Sequence, residues 1–320
     1  MAIAEAARGL IVPVRRERNP WVDAFFELLK NRVAVAGGVF IILLILVAIF
    51  ADFIAPYGYA ETHFADNYAP PGGKYLLGAD NLGRDVLSRT LYGARVSLAV
   101  AFVAGVVSLL IGIVYGLVSG YAGGRVDDVM MRIVDFIYGI PVIIVVILMQ
   151  VYFKALTRHG QASGWVAGLV SLNDAFGGLL FVFIAMGALN WIGMARIARG
   201  LVLSFKEKEF VEAARSIGGG TNRILFRHLL PNILGPCIVN ETLQIPGYIL
   251  LEAFLSFIGL GVNPPTPSWG IMIQEAYQAL RSNPHVLMPP ATALTLTVLA
   301  FNFLGDGLRD AFDPRMRGTH

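Results

Sequence analysis

Charge is scarce in this chain. Of 320 residues, 15% are Asp, Glu, Lys or Arg and 56% are hydrophobic, with a mean hydropathy of +0.65. Soluble domains carry about 25% charged residues. The deficit sits in long uncharged runs, which excludes an ordinary soluble globule and points to an all-α polytopic membrane protein. Cysteine is rarer still. The single Cys237 excludes an internal disulfide and a Cys-based metal site. The five histidines, His63, His159, His228, His285 and His320, are scattered without ligand spacing, so no metal is expected. The phosphate-binding pattern GxxxxGK[ST] is missing, so the chain has no nucleotide engine of its own. No Ser/His/Asp or paired-carboxylate constellation has local support. No catalytic residue, cofactor or nucleic-acid partner is therefore expected. No inverted internal repeat is visible, which weighs against a carrier working alone.

What is present is a series of apolar runs. Six transmembrane helices are predicted, at 33–54, 96–119, 129–153, 179–200, 233–260 and 286–304. Each reaches or approaches the roughly 20 residues that cross a bilayer core. Helices are required because lipid offers backbone amides no partner. The first run starts late and exceeds the roughly 7–15 residues of a signal segment, so it reads as a retained span. Of the 25 Lys and Arg residues, only Lys74, Arg84, Arg89, Arg95, Lys154, Arg158 and Arg281 fall outside when both termini are placed inside. That bias orients the chain, with both termini and residues 205–232 in the cytoplasm. The parts are then a cytoplasmic tail over 1–32, the first span at 33–54, an extracytoplasmic loop over 55–95, a five-helix core over 96–308 and a tail over 309–320.

Local patterns add detail. Asn19 and Pro20 suit the start of an interfacial helix whose Trp21, Phe25, Phe26, Leu28 and Leu29 can enter the headgroup region, or of a solvated leader into the first span. Ser108, Gly112, Gly116 and Gly120 recur every four residues, which lines one face of the second span with small groups for close packing. Pro141 and Pro246 mark bends. Residues 85–98 read as an amphipathic helix on the outer surface, and Trp269 is expected at the outer interface. Arg132 and Asp135 suggest an intrahelical ion pair, while Arg196 and Arg199 suggest snorkelling to headgroups.

The loop over 205–232 is short and polar, between two apolar spans. Phe210, Ala213, Ala214 and Ile217 fall at i, i+3, i+4 and i+7, one apolar face of a short helix. Gly218-Gly219-Gly220 ends it. A second helix restarts at Thr221 or Asn222 with Ile224, Leu225 and Leu229 apolar, and Pro231 precedes the fifth span. The product is a compact knob that can dock into another protein, or an amphipathic loop without a partner. Its spacing resembles the EAA motif of ABC importer permeases through Glu212, Ala213, Ala214, Gly218, Leu230 and Pro231, with Arg215 inside the stretch and His228 where an aliphatic residue is usual. Further stretches resemble the oligopeptide/dipeptide branch of that family. They include Leu77-Gly78-Ala79-Asp80, Gly83-Arg84-Asp85, Pro267-Ser268-Trp269-Gly270 and Gly305-Asp306-Gly307.

The resemblance implies a type I (MetI-like) permease core with an added N-terminal span, in the second of two permease subunits. It implies a cell inner membrane protein coupled by the EAA loop to two ABC ATPases, which use the ATP. Its other partners would be a second homologous permease subunit and an extracytoplasmic peptide-binding protein. One departure is the external loop over 154–178, longer than the family leads one to expect. Asn240, Glu241, Gln244 and Glu252 place polar groups inside the fifth span, where they are costly. They are candidates for the substrate path, or alternatively for interhelical hydrogen bonds. Nickel or glutathione import by the same family, and a proton-coupled carrier using Asp135 or Glu241, remain the other readings.

Overall fold

The structure, a computed structural model, describes residues 20–159, 164–175 and 177–312. The N-terminal basic cluster, Asn19 and residues 313–320 lie outside them. Among the described residues the architecture is all-helical, with a single isolated β-bridge between Ala79 and Asp85. Helix α1 (Pro20–Lys30) leaves Trp21, Phe25, Phe26 and Leu29 exposed. Asn31 then caps α2 (Arg32–Ile49) by accepting from the amides of Val33 and Ala34.

Helix α3 (Val86–Ala122) is the longest, at 37 residues. Asp85 caps it by accepting from the amide of Ser88 at 2.7 Å. Residues 85–98 are thus not a separate interfacial helix. They are the first turns of the second span, and Val86, Arg89 and Ala94 are buried. Helices α4 (Gly124–Tyr138) and α5 (Val142–His159) meet at a 72° bend. Pro141 sits at the break, where it cannot donate a helical hydrogen bond. Helix α6 (Trp165–Ala175) occupies the segment between α5 and α7. Helix α7 (Leu179–Phe205) returns and packs along α3.

The α3–α7 contact explains the small-residue stripe. A Cβ at Gly116 would lie 2.5 Å from the Ala195 carbonyl and 2.7 Å from the Ala198 Cβ. Only glycine permits that approach.

A short helix, α8 (Glu209–Ser216), follows, then a helical run over 221–229 that leads into α9 (Leu230–Phe257). Helix α10 (Trp269–Tyr277) packs against α9 and the start of α3, and α11 (Pro284–Phe312) closes the bundle against α2 and α9. Among the described residues three helices, α2, α3 and α11, are long and apolar enough to cross a membrane, and the bent α4–α5 pair makes a fourth if it is one span. Helices α7 and α9, of 27 and 28 residues, reach about 40 Å at 1.5 Å per residue, long enough to cross.

Trp269 is fully buried rather than interfacial. Its indole N–H donates to the Thr90 carbonyl at 3.0 Å, over Gly93 of α3. Beside it lies a buried charge cluster. Arg84 Nε donates to Asp80 Oδ2 at 2.7 Å, and Arg84 and Arg89 both reach Glu275 Oε2, at 2.9 and 2.6 Å. Arg89 also binds Asp80. Further out, Asp66 accepts from Lys74 and from the Tyr75 hydroxyl, which hold its carboxyl below the ordinary value of 3.8.

Candidate functional site

The loop between α7 and α9 is built on two faces. Helix α8 starts with Glu209 and Glu212 in its first turn and has Arg215 in its last, so charge runs with the helix dipole. Gly218 adopts a left-handed conformation (φ 80°). The amide of Gly218 donates to the Arg215 carbonyl and that of Gly219 to the Ala214 carbonyl, each at 2.9 Å. These bonds satisfy the open carbonyls of the helix end.

Val211 and Ala214 point inward. They join Ile224, Leu225 and Leu229 in one cluster with Ile113 and Leu117 of α3, Met194, Ala198 and Val202 of α7, and Ile233 and Cys237 of α9. The expected apolar face is therefore divided. Ala214 is buried, but Phe210, Ala213 and Ile217 face outward, with Ile217 82% exposed. Phe226, in the helical run that follows, is exposed too, as are Glu212, Arg215, Arg223 and Arg227.

The second half also differs from expectation. Pro231 does not mark a boundary before the next span. The run from Thr221 continues through a π-helical stretch, Ile224–Leu229, directly into α9. The Leu230 amide donates to the Leu225 carbonyl, five residues back. The wider turn accommodates the Pro231 ring, which would crowd the preceding carbonyl in a regular α-turn. His228 is half-buried, and its carbonyl accepts from Asn232 Nδ2 at 2.6 Å.

The four polar candidates of α9 do not converge. Glu241 is buried against α3, where it accepts from Ser108 Oγ at 3.2 Å and from the Tyr248 hydroxyl at 2.7 Å. Glu252 is buried three turns further along, where it accepts from Ser97 Oγ at 2.9 Å and Ser256 Oγ at 2.7 Å. Both make interhelical hydrogen bonds, the second of the two readings of these residues. Asn240 is half-buried and Gln244 exposed, on another side of α9.

Two further ion pairs correct the local reading. Asp135 pairs with Arg196 of α7 at 2.6 Å rather than with Arg132. Arg199 grips Asp127 through Nε and Nη2, and Ser119 also donates to Asp127. Neither arginine depends on headgroups for a partner. Spacing along one helix could not reveal partners that sit 61 and 72 residues away. Among the described residues no group of His, Cys, Asp and Glu could hold a metal ion.

A helical bundle with membrane-crossing helices and an apolar surface on a polar loop defines a membrane component that works with other proteins. The family is specific. The chain belongs to the binding-protein-dependent transport system inner membrane components, whose model matches residues 112–318. Residues 19–71 match the N-terminal TM domain of oligopeptide transport permease C. The chain is 40% identical over 303 residues to the oligopeptide transport system permease protein OppC of Bacillus subtilis (strain 168), covering 95% of this chain and 92% of the relative. It is 40% identical over 296 residues to the dipeptide transport system permease protein DppC of the same organism, covering 92% and 86%. It is 41% identical over 303 residues to the glutathione transport system permease protein GsiD of Escherichia coli O6:K15:H31, covering 94% and 92%. The protein is thus a non-catalytic, multi-pass inner membrane permease component of an ABC transporter. It works with a binding protein and ATPase partners.

Proposed function

We propose that the chain is one of two homologous permease subunits that together form the pore of an importer for oligopeptides or dipeptides. Six spans with both termini in the cytoplasm place the 205–232 loop on the inner face, where two ATPases dock. The division is the one read from the sequence: a tail over 1–32, a first span at 33–54, an outer loop over 55–95, a core over 96–308 and a tail over 309–320. Glu212, Ala213, Ala214, Arg215, Gly218, His228, Leu230 and Pro231 shape the docking loop. The observation that carries this reading is the exposed set Phe210, Ile217 and Phe226 on a loop whose other side is packed into the core. A soluble face gains nothing from such groups, whereas a docked partner buries them.

Substrate passes along a different side of α9 from the one that holds α3. Asn240 and Gln244 are left to border the path, while Glu241 and Glu252 are occupied by hydroxyls of α3 and α9. Weak polar contacts suit a pore that must release its cargo. A second reading, glutathione, is supported by relatives of equal similarity. Glutathione is itself a small peptide-like anion, so the same amide groups would serve.

The test is uptake by the full complex in vesicles, with ATP inside and with binding protein and radiolabelled di-, tri- and pentapeptides or glutathione outside. Peptide accumulation that requires ATP and the binding protein is expected. Transport by this chain alone, driven by a proton gradient, would overturn the reading.

A further inference from the structure

The charge cluster at the start of α3 joins α10 to that helix, beside apolar packing of Val86 with Met272 and Ala276 and of Val96 with Ile271, while α10 also packs on α9 and α11. At one end of α10, the Trp269 indole donates to the Thr90 carbonyl and lies over Gly93. Six residues on, Glu275 Oε2 accepts from Arg84 and Arg89, and both arginines are held by Asp80. Two positive and two negative groups balance. Asp80, Arg84 and Arg89 are almost fully buried, with side-chain exposures of 4%, 5% and 2%. Removing one member of such a cluster leaves an uncompensated buried charge. Asp80 also accepts from the amides of Leu82 and Arg84, so it anchors the turn that leads into α3.

The opposite end of the same helix touches the docking loop. Ile113 and Leu117 of α3 lie in the cluster that buries Val211, Ala214, Ile224 and Leu225. The Arg215 guanidinium stacks over the Tyr121 ring at 5.7 Å. Between these ends α3 runs without a break for 37 residues, about 55 Å at 1.5 Å per residue. Its glycine face is locked to α7, and its Ser97 and Ser108 are bonded to Glu252 and Glu241 of α9. An unbroken helix packed along its length links its two ends mechanically.

We propose that Asp80, Arg84, Arg89 and Glu275 form a latch that seats α10 on the outer end of α3, so that displacement of the inner loop is delivered to α10. Arg84, Arg89 and Glu275 are positioning residues, which act through α10 rather than on cargo. The inference rests on the permease reading of the inner loop.

Its test uses the assembled complex in vesicles, with Glu275→Gln and Glu275→Asp. In the Gln variant, uptake falls about tenfold or more, basal ATP hydrolysis stays within about twofold of wild type, and stimulation by loaded binding protein is lost. The Asp variant, which keeps the charge, regains most of the stimulation. A purely structural role would lower assembly and basal hydrolysis together. Wild-type uptake in the Gln variant, or no recovery in the Asp variant, would overturn the latch.

A second arm needs neither variant nor cargo. Amide exchange is followed in the wild-type complex with and without a trapped ATP analogue. Protection in α10 is expected to change together with protection in α8. A change in α8 with α10 unaltered would refute the latch while leaving the transport function standing.

Discussion

Replacing Ile217 by Ser separates docking from folding. Ile217 is 82% exposed in the chain itself, whereas Val211, six residues earlier, is fully buried in the inner cluster. Burying an isoleucine side chain against a partner contributes about 1.5–3 kcal/mol. At about 1.4 kcal/mol per factor of ten, a loss near 2 kcal/mol weakens ATPase association by roughly 30-fold. Substitution at so exposed a site shifts the stability of the chain itself by no more than about 0.5 kcal/mol. Val211→Ser behaves oppositely. It leaves a cavity and places a hydroxyl among apolar groups, which costs about 2–4 kcal/mol of stability. The assay titrates purified ATPase onto the permease in nanodiscs and records thermal unfolding of both variants in parallel. Ile217→Ser is expected to bind weakly and melt normally. Full ATPase affinity in that variant, or a loss of stability equal to that of Val211→Ser, would refute the division of the loop into an inner and an outer face.

Three other outcomes follow from the packing. Gly116→Ala forces a methyl against the Ala195 carbonyl and lowers stability by about 1–3 kcal/mol. Gly193→Ala, in α7 with open space around it, is neutral or slightly stabilising, and thermal melting of the pair checks the contrast. Glu241→Leu removes the 2.7 Å acceptor of the Tyr248 hydroxyl and leaves it only Ser108 Oγ at 3.4 Å, a loss of about 1–3 kcal/mol for a buried group without a good partner, whereas Ser108 keeps the Asn190 carbonyl. Glu241→Gln keeps an acceptor for Tyr248 and is milder, so the order of the two melting temperatures is the readout. At the outer loop, Asp66 has its pKa depressed by Lys74 and Tyr75. Its tether is therefore complete above the ordinary value of 3.8 and is lost as pH falls through the lower folded value. Proteolytic cutting of the 66–75 segment should be unchanged from pH 7 to 5 and should rise only below that range.

The helices and the close α3–α7 contact were legible because their signals are local. A small residue every fourth position states how near another backbone can come, and Pro141 states where a helix must break. The loop between α7 and α9 was legible in its ends and glycine turn, but not in its sidedness. Periodicity assigns a helix one apolar face, whereas α8 has two: Val211 and Ala214 face the bundle, and Phe210, Ala213 and Ile217 face away. The missing signal was Val211, which lies off the expected stripe and takes the deepest position. Long-range pairing was not legible. Arg132 stood at the right spacing for Asp135, yet Arg196 is the partner, because helix packing brings α7 against α4. Trp269 and Arg89 were read as surface groups for the same reason. An amphipathic helix looks interfacial until a second element is found covering it. The polar groups of α9 announced that they needed partners, and only the fold shows that Glu241 and Glu252 find them on α3.

The π-helical join at 224–229 makes the second half of the loop and α9 a single helical run. An importer whose knob hung from a flexible hinge could absorb a push from below without responding. Here the second half of the loop, from Thr221 on, and α9 are one helical run, so tilting one tilts the other. Inserting a few glycines between Gly220 and Thr221 would spare this link, whereas the same insertion after Leu229 would cut it.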